Sequence, residues 1–163
     1  MSQSDSTSLE VGQIIPAFSL SGPDGMPHSP WDYKQREHLV LLFLRSSTTN
    51  ESRGLLLEFA QHYRAFREEG CAILAVTPDT VITNLRMQEA LYLPFALLAD
   101  VEGSVISRYT RWNEVTRSYL PSIVLADRYN AMYAQWTADN ESELPSIEEL
   151  LESLRYLNKL CTP

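Results

Sequence analysis

The chain has 163 residues, 44% of them hydrophobic and 21% charged, and carries two cysteines, Cys71 and Cys161. That length suits one domain, which buries about 70% of its unfolded surface without staples, and cysteines so far apart make neither a CxxC redox pair, nor a four-ligand zinc site, nor a secreted disulfide framework. A formal charge of −8 argues against nucleic acid and anionic membrane surfaces as partners, and no apolar stretch approaches the ~20 residues that span a bilayer.

The two distant cysteines point to a reducing, cytoplasmic setting. Residues 1–10 are polar and serine-rich, with neither a basic start nor an apolar core, and are expected to form a disordered tail ahead of a single domain over residues 11–163. Ile14 to Leu20 leads into the turn Gly22-Pro23-Asp24-Gly25, and Ser29 to Tyr33 predicts a short helical turn opened by proline. His38 heads a continuous apolar run through Leu44, too short for a helix, which predicts a central strand buried on both faces. From about Ser52 to Glu69 the residues Leu55, Leu56, Phe59, Ala60, Tyr63 and Phe66 recur at helical spacing, and Gly70 stops the helix.

Cys71 to Val76 predicts a second buried strand, closed by Thr77-Pro78-Asp79 and followed by a helix from about Thr80 to Leu91. Strand, helix, strand is a crossover and demands parallel pairing. Phe95 to Leu98 is a short segment before Asp100, and Ser104 to Tyr109 a short helix. Ser122 to Ala126 and Ala131 to Trp136 flank Asp127-Arg128-Tyr129-Asn130, a hairpin pattern, so the sheet mixes parallel and antiparallel pairs. The last helix starts at a capping box, Ser146 with Glu149, and sets Leu150, Leu154, Leu157 and Leu160 on one stripe. Strands alternating with helices specify an α/β fold.

Cys71 opens a buried strand and reads as a core residue, whereas Cys161 follows the last helix and reads as an exposed thiol. His28, His38 and His62 show no metal-ligand spacing, so no metal is expected, and no cofactor is called for. Glu141, Glu143, Glu148, Glu149 and Glu152 read as a solvated face that favours the start of the last helix. Trp31, Trp112 and Trp136 read as packing residues.

The order of these elements, with Val11-Gly12, Pro16-Ala17-Phe18-Ser19-Leu20, Trp31-Asp32-Tyr33, Ala75-Val76-Thr77-Pro78-Asp79 and Pro94 to Asp100 followed by Gly103 and Tyr109, resembles the peroxiredoxins of the alkyl hydroperoxide reductase and thiol-specific antioxidant type. The resemblance runs from about Val11 to Leu160. It implies a thioredoxin-like three-layer α/β/α sandwich with a mixed central sheet, an ancestry in thiol-dependent peroxide reduction, and a homodimer as the partner arrangement. The family places a proline, three residues, a threonine, two residues and then the peroxidatic cysteine just after the first central strand. Counted from Phe43, that frame falls on Arg45, Thr49 and Ser52, so only the threonine is kept.

A serine hydroxyl is far less acidic than a thiol and does not follow the sulfenic acid and disulfide route. Ser52 is read either as a natural loss or as an engineered replacement, and Arg45 in place of the family's proline, with Ser46-Ser47-Thr48-Thr49-Asn50 around it, favours natural loss. The family's catalytic arginine sits about six residues before the aspartate that matches Asp127, a place held here by Pro121, which resembles the cis-proline of thioredoxins. Arg117 is four residues out of register and carries no inherited role.

Three functions remain open. The first is a degenerate redoxin acting by binding a protein or small anion, with Thr49, Ser52 and Pro121 marking the relic site. The second is an active thiol oxidoreductase using Cys71 or Cys161, or the serine form of an active parent. The third is a small-anion module in which Arg45, Thr48 and Arg53 surround a helix start. The bland alternative to that module is a polar loop with Thr48 and Glu51 as a capping box.

Overall fold

The apolar run headed by His38 lies in the middle of a seven-stranded sheet in the computed structural model, which describes residues 9–161. In chain order the strands are β1 (Leu20–Ser21), β2 (Pro27–His28), β3 (His38–Phe43), β4 (Cys71–Thr77), β5 (Ala96–Ala99), β6 (Trp112–Asn113), β7 (Ser118–Tyr119), β8 (Ser122–Ala126) and β9 (Met132–Thr137). The helices are α1 (Asn50–Gln61), α2 (Tyr63–Glu68), α3 (Val81–Leu91), α4 (Ile106–Tyr109) and α5 (Ile147–Cys161). The sheet order is β2-β1-β5-β4-β3-β8-β9, and β6 and β7 make a separate two-stranded ribbon. Strand β4 runs parallel to β3 and β5, and β8 pairs antiparallel with β3 and β9.

Every residue of β3 and β4 is buried. Side chains alternate between the faces of a strand, so both faces must be covered. Val40 and Leu42 point to one face, where they meet Leu56 and Phe59 of α1, Phe66 of α2 and Leu154 of α5. Leu39, Leu41 and Phe43 point to the other, against Ile106 and Tyr109 of α4 and the incoming segment at Ile15 and Phe18. Each such leucine or phenylalanine contributes about 1.5–3 kcal/mol by leaving water. Tyr109 stacks on Phe43 with centroids 4.5 Å apart and donates its hydroxyl to the Pro16 carbonyl. The second helical layer is therefore thin, one short helix completed by the N-terminal segment.

Two local expectations are corrected. The helix expected from Ser52 to Glu69 breaks at His62, where the backbone N–H and the ring Nδ1 both bond back to the Glu58 carbonyl, at 3.1 and 2.9 Å. The bend brings Phe59 and Phe66 to a centroid distance of 5.3 Å. The buried stripe on α5 ends at Leu157, and Leu160 is exposed. Of the tail expected over residues 1–10, residues 1–8 lie outside the described residues, while Leu9 packs on the second cluster and Gly12 donates to Met132 O at 2.8 Å.

His38 is the polar exception at the head of β3. It is 1% exposed, its Nε2 lies 2.8 Å from Asn158 Oδ1, and Asn158 in turn donates to Glu69. Burial holds its pKa below the ordinary 6.5, against the Asn158 hydrogen bond, which raises it. The unfolded chain therefore takes up a proton near 6.5 that the folded chain refuses. Stability is full above that value and falls as pH drops toward the lower folded value. The urea midpoint of the native chain is expected to fall between about pH 7.5 and about pH 5.5 by more than that of His38→Gln; equal falls would show that His38 is not the group responsible.

Candidate functional site

The chain leaves β3 at Leu44 and reaches α1 through Arg45 to Thr49, a polar loop at the carboxyl end of the central strands. Thr49 is the N-cap of α1, extended at φ −76° and ψ 156°, with its hydroxyl accepting Ser52 N–H at 3.2 Å. The capping box expected of Thr48 and Glu51 is not formed, and the N-cap lies one residue later. Because the helix begins one position later, Thr48 stays outside it, exposed, and bonds Ser46 instead.

Two carboxylates from elsewhere in the chain sit in this loop. Glu141 accepts the Arg45 backbone N–H at 2.9 Å, its Nε–H at 3.0 Å and its Nη2–H at 2.7 Å. The Glu141 side chain is 0% exposed. Burial pushes its pKa up, but the bonds from Arg45 more than offset this and hold it below the ordinary carboxylate value. Asp79 accepts from Ser47 N–H at 2.6 Å, from the Ser47 hydroxyl at 2.9 Å and from the Ser46 hydroxyl at 3.2 Å. Its own N–H donates to Thr77 Oγ1, and that hydroxyl donates to the buried Asn84. The anion-binding donors of the loop are therefore largely engaged by internal carboxylates.

Ser52, the third residue of α1, is fully buried and its Oγ has no hydrogen-bond partner among the described residues. It fills space as a small core residue would. Arg53, next in sequence, is exposed. Of the five carboxylates that the sequence assigns to a solvated face, Glu143, Glu148, Glu149 and Glu152 are exposed and Glu141 alone turns in, where it meets the Arg45 guanidinium.

Pro121 is buried at the start of β8, and its peptide bond is trans, not cis as the thioredoxin resemblance suggested. The segment runs extended from β7 into β8, held by Leu120 N–H to Arg111 O at 2.8 Å and Ala138 N–H to Pro121 O at 3.2 Å, and the trans form meets both bonds. Cys71 is 0% exposed and its thiol donates to Ala72 O. Burial pushes its pKa far up, so it is a protonated core residue and not a nucleophile. The Cys161 side chain lies outside the described part of the structure.

The AhpC/TSA family model matches residues 11–135, a span that includes Arg45, Thr49, Ser52 and Pro121. The chain belongs to the AhpC/TSA family. Among its AhpC/TSA relatives, peroxiredoxin Bcp of Bacillus subtilis (strain 168) is 24% identical over 157 residues, which cover 93% of this chain and 98% of the relative. The crystal structure of peroxidoxin BcpB from Mycobacterium tuberculosis matches with a TM-score of 0.80 at 16% identity, over 92% of this chain and 99% of that one. That of a cysteine-to-serine mutant of Xylella fastidiosa PrxQ matches at 0.82 with 18% identity, over 93% and 98%. The fold is thus the thioredoxin-like α/β arrangement of peroxiredoxins, and the ancestry lies in peroxide reduction. Among the described residues no helix is long and apolar enough to cross a membrane, and no group of three or more His, Cys, Asp or Glu is placed to hold a metal ion.

Residue chemistry at the loop gives two stability tests. Arg45→Ala leaves Glu141 buried without its counter-charge and is expected to cost about 3 kcal/mol. The double variant Arg45→Met with Glu141→Gln keeps an amide oxygen for the backbone N–H and is expected to cost only about 1 kcal/mol. A double-variant loss in urea unfolding as large as that of Arg45→Ala would show that the cost does not come from leaving Glu141 charged and unpaired. Ser52→Ala removes an unpartnered buried hydroxyl from a helix and is expected to gain up to about 1 kcal/mol; a loss would mean that Oγ has a partner.

Proposed function

We propose that this AhpC/TSA protein no longer reduces peroxide through a peroxidatic thiolate and acts by binding. The observation that carries the reading is Ser52: a serine in the family's cysteine frame, fully buried, with an unpartnered hydroxyl. Peroxide chemistry needs an accessible thiolate in an electropositive setting. Here the position lies under a loop holding Asp79 and Glu141, and Pro121 stands where the family's arginine is expected. Neither cysteine substitutes for it in this reading, since Cys71 is sealed in the core.

The same carboxylates argue that the Arg45 to Arg53 loop takes external anions only weakly. The reading also keeps residues 11–163 as one unit in a reducing, cytoplasmic setting, and a homodimer as its assembly, for which the open outer edge of β9 offers a surface.

A peroxide-consumption assay with a dithiol reductant, run on the unmodified chain and on Ser52→Cys, tests it. The unmodified chain is expected to consume no more peroxide than the reductant alone, and Ser52→Cys very little, because its thiol would be buried and no arginine would assist it. Turnover by the unmodified chain that disappears when its cysteines are alkylated would overturn the reading.

A further inference from the structure

A cavity of about 320 Å³ opens at the carboxyl ends of the three parallel strands, between the residues that follow them and the β6–β7 ribbon. Its floor is apolar, with Leu44 and Ile106 both buried. Its wall is aromatic, Trp112 and Tyr119 meeting edge to face with centroids 4.9 Å apart. Ligands of open α/β sheets bind in the crevice outside the carboxyl ends of the strands, and pockets of this size with a few convergent polar groups on an apolar lining suit small molecules.

The walls are held in place before any ligand arrives. Asp100, buried, accepts Val105 and Ile106 N–H at 3.0 and 2.8 Å and so fixes the start of α4. The ribbon is tied to the body by Thr110 Oγ1 donating to Leu120 O at 2.9 Å and Leu120 N–H to Arg111 O at 2.8 Å. Gly103 allows the ribbon to approach: a Cβ there would stand 3.1 Å from the Tyr119 ring. A preorganised site loses less freedom on binding.

Two opposite charges line this cavity. Arg117, in the turn of the ribbon at φ 54°, and Glu102, beside Gly103, are both exposed, and neither forms an ion pair with the other or with any other described residue. Arg45 also borders the cavity, but its charge is matched by Glu141. A phosphate or dicarboxylate would meet Glu102 as a like charge, and a neutral ligand would leave both charges unmatched. A guanidinium pairs naturally with a carboxylate, and a carboxylate with an ammonium.

We propose that this cavity binds a free α-amino acid with an apolar or aromatic side chain, its carboxylate on Arg117, its ammonium at Glu102 and its side chain over Ile106 against Trp112 and Tyr119. The proposal rests on the reading that the chain acts by binding, and names a site and a ligand class for it. The test is calorimetric titration of the full chain with L-phenylalanine, L-leucine, phenylpropionate and phenethylamine, with the Trp112 indole N–H followed by NMR. L-Phenylalanine is expected to shift the Trp112 signal and to bind at least about tenfold more tightly than either analogue that lacks one charge. Arg117→Gln is expected to weaken L-phenylalanine and phenylpropionate about tenfold and to spare phenethylamine, and Glu102→Gln to weaken L-phenylalanine and phenethylamine and spare phenylpropionate. Both residues are exposed, so both variants should fold. Failure of both amino acids to bind at millimolar concentration, or affinities unchanged in both variants, overturns the proposal. Peroxide turnover is not read in this titration, so loss of binding leaves the reading of Ser52 standing, and turnover by the unmodified chain leaves the site standing.

Discussion

The contact between Arg45 and Glu141 joins two parts of the chain 96 residues apart, the exit of β3 and the segment between β9 and α5. A carboxylate with no exposed surface keeps its charge only if a partner replaces the water it has lost. Arg45 does so with both side chain and backbone, three donors on one carboxylate. The direction in which the chain leaves the central strand is thereby set, and with it the placing of Ser46 and Ser47 against Asp79, the cap at Thr49 and the inward face of α1 that buries Ser52. The loop is less a pocket awaiting an anion than a knot around two that the protein brings itself.

That arrangement bears on the chemistry of the family. A thiol near a helix start becomes a nucleophile through free N–H groups, positive charge and access. Around Ser52 each is diminished: its own N–H is taken by Thr49, the Arg45 guanidinium of the loop is neutralised by Glu141, and the side chain is closed from solvent. Restoring sulfur alone would restore one requirement of several. The loop keeps the threonine of the family pattern, Thr49, but has Arg45 and Ser52 at its other two positions.

The sheet was legible from the sequence because its central strands are buried on both faces, so their apolar runs are continuous and short: His38 to Leu44 and Cys71 to Val76 could be little else. The Ser146 and Glu149 capping box was equally plain and is formed, with Glu149 N–H on Ser146 Oγ and Ser146 N–H on Glu149 Oε1. What escaped was whatever depends on partners distant in sequence. Glu141 lies among four acidic residues that do face solvent, and nothing local marks the one that turns inward. The β6–β7 ribbon has strands of two residues each, too short for an alternation to register, so Trp112, Arg117 and Tyr119 could not be seen to share a cavity with Glu102. The break at His62 was hidden because its apolar spacing continues unbroken into α2.

The two apolar clusters lie on opposite faces of the sheet, and the loop from Arg45 to Thr49 belongs to neither. The packing of the sheet and the chemistry available at the strand ends are thus carried by different side chains. In this molecule the interior carries the likeness to the family, and the loop is held to it through Arg45 and Glu141.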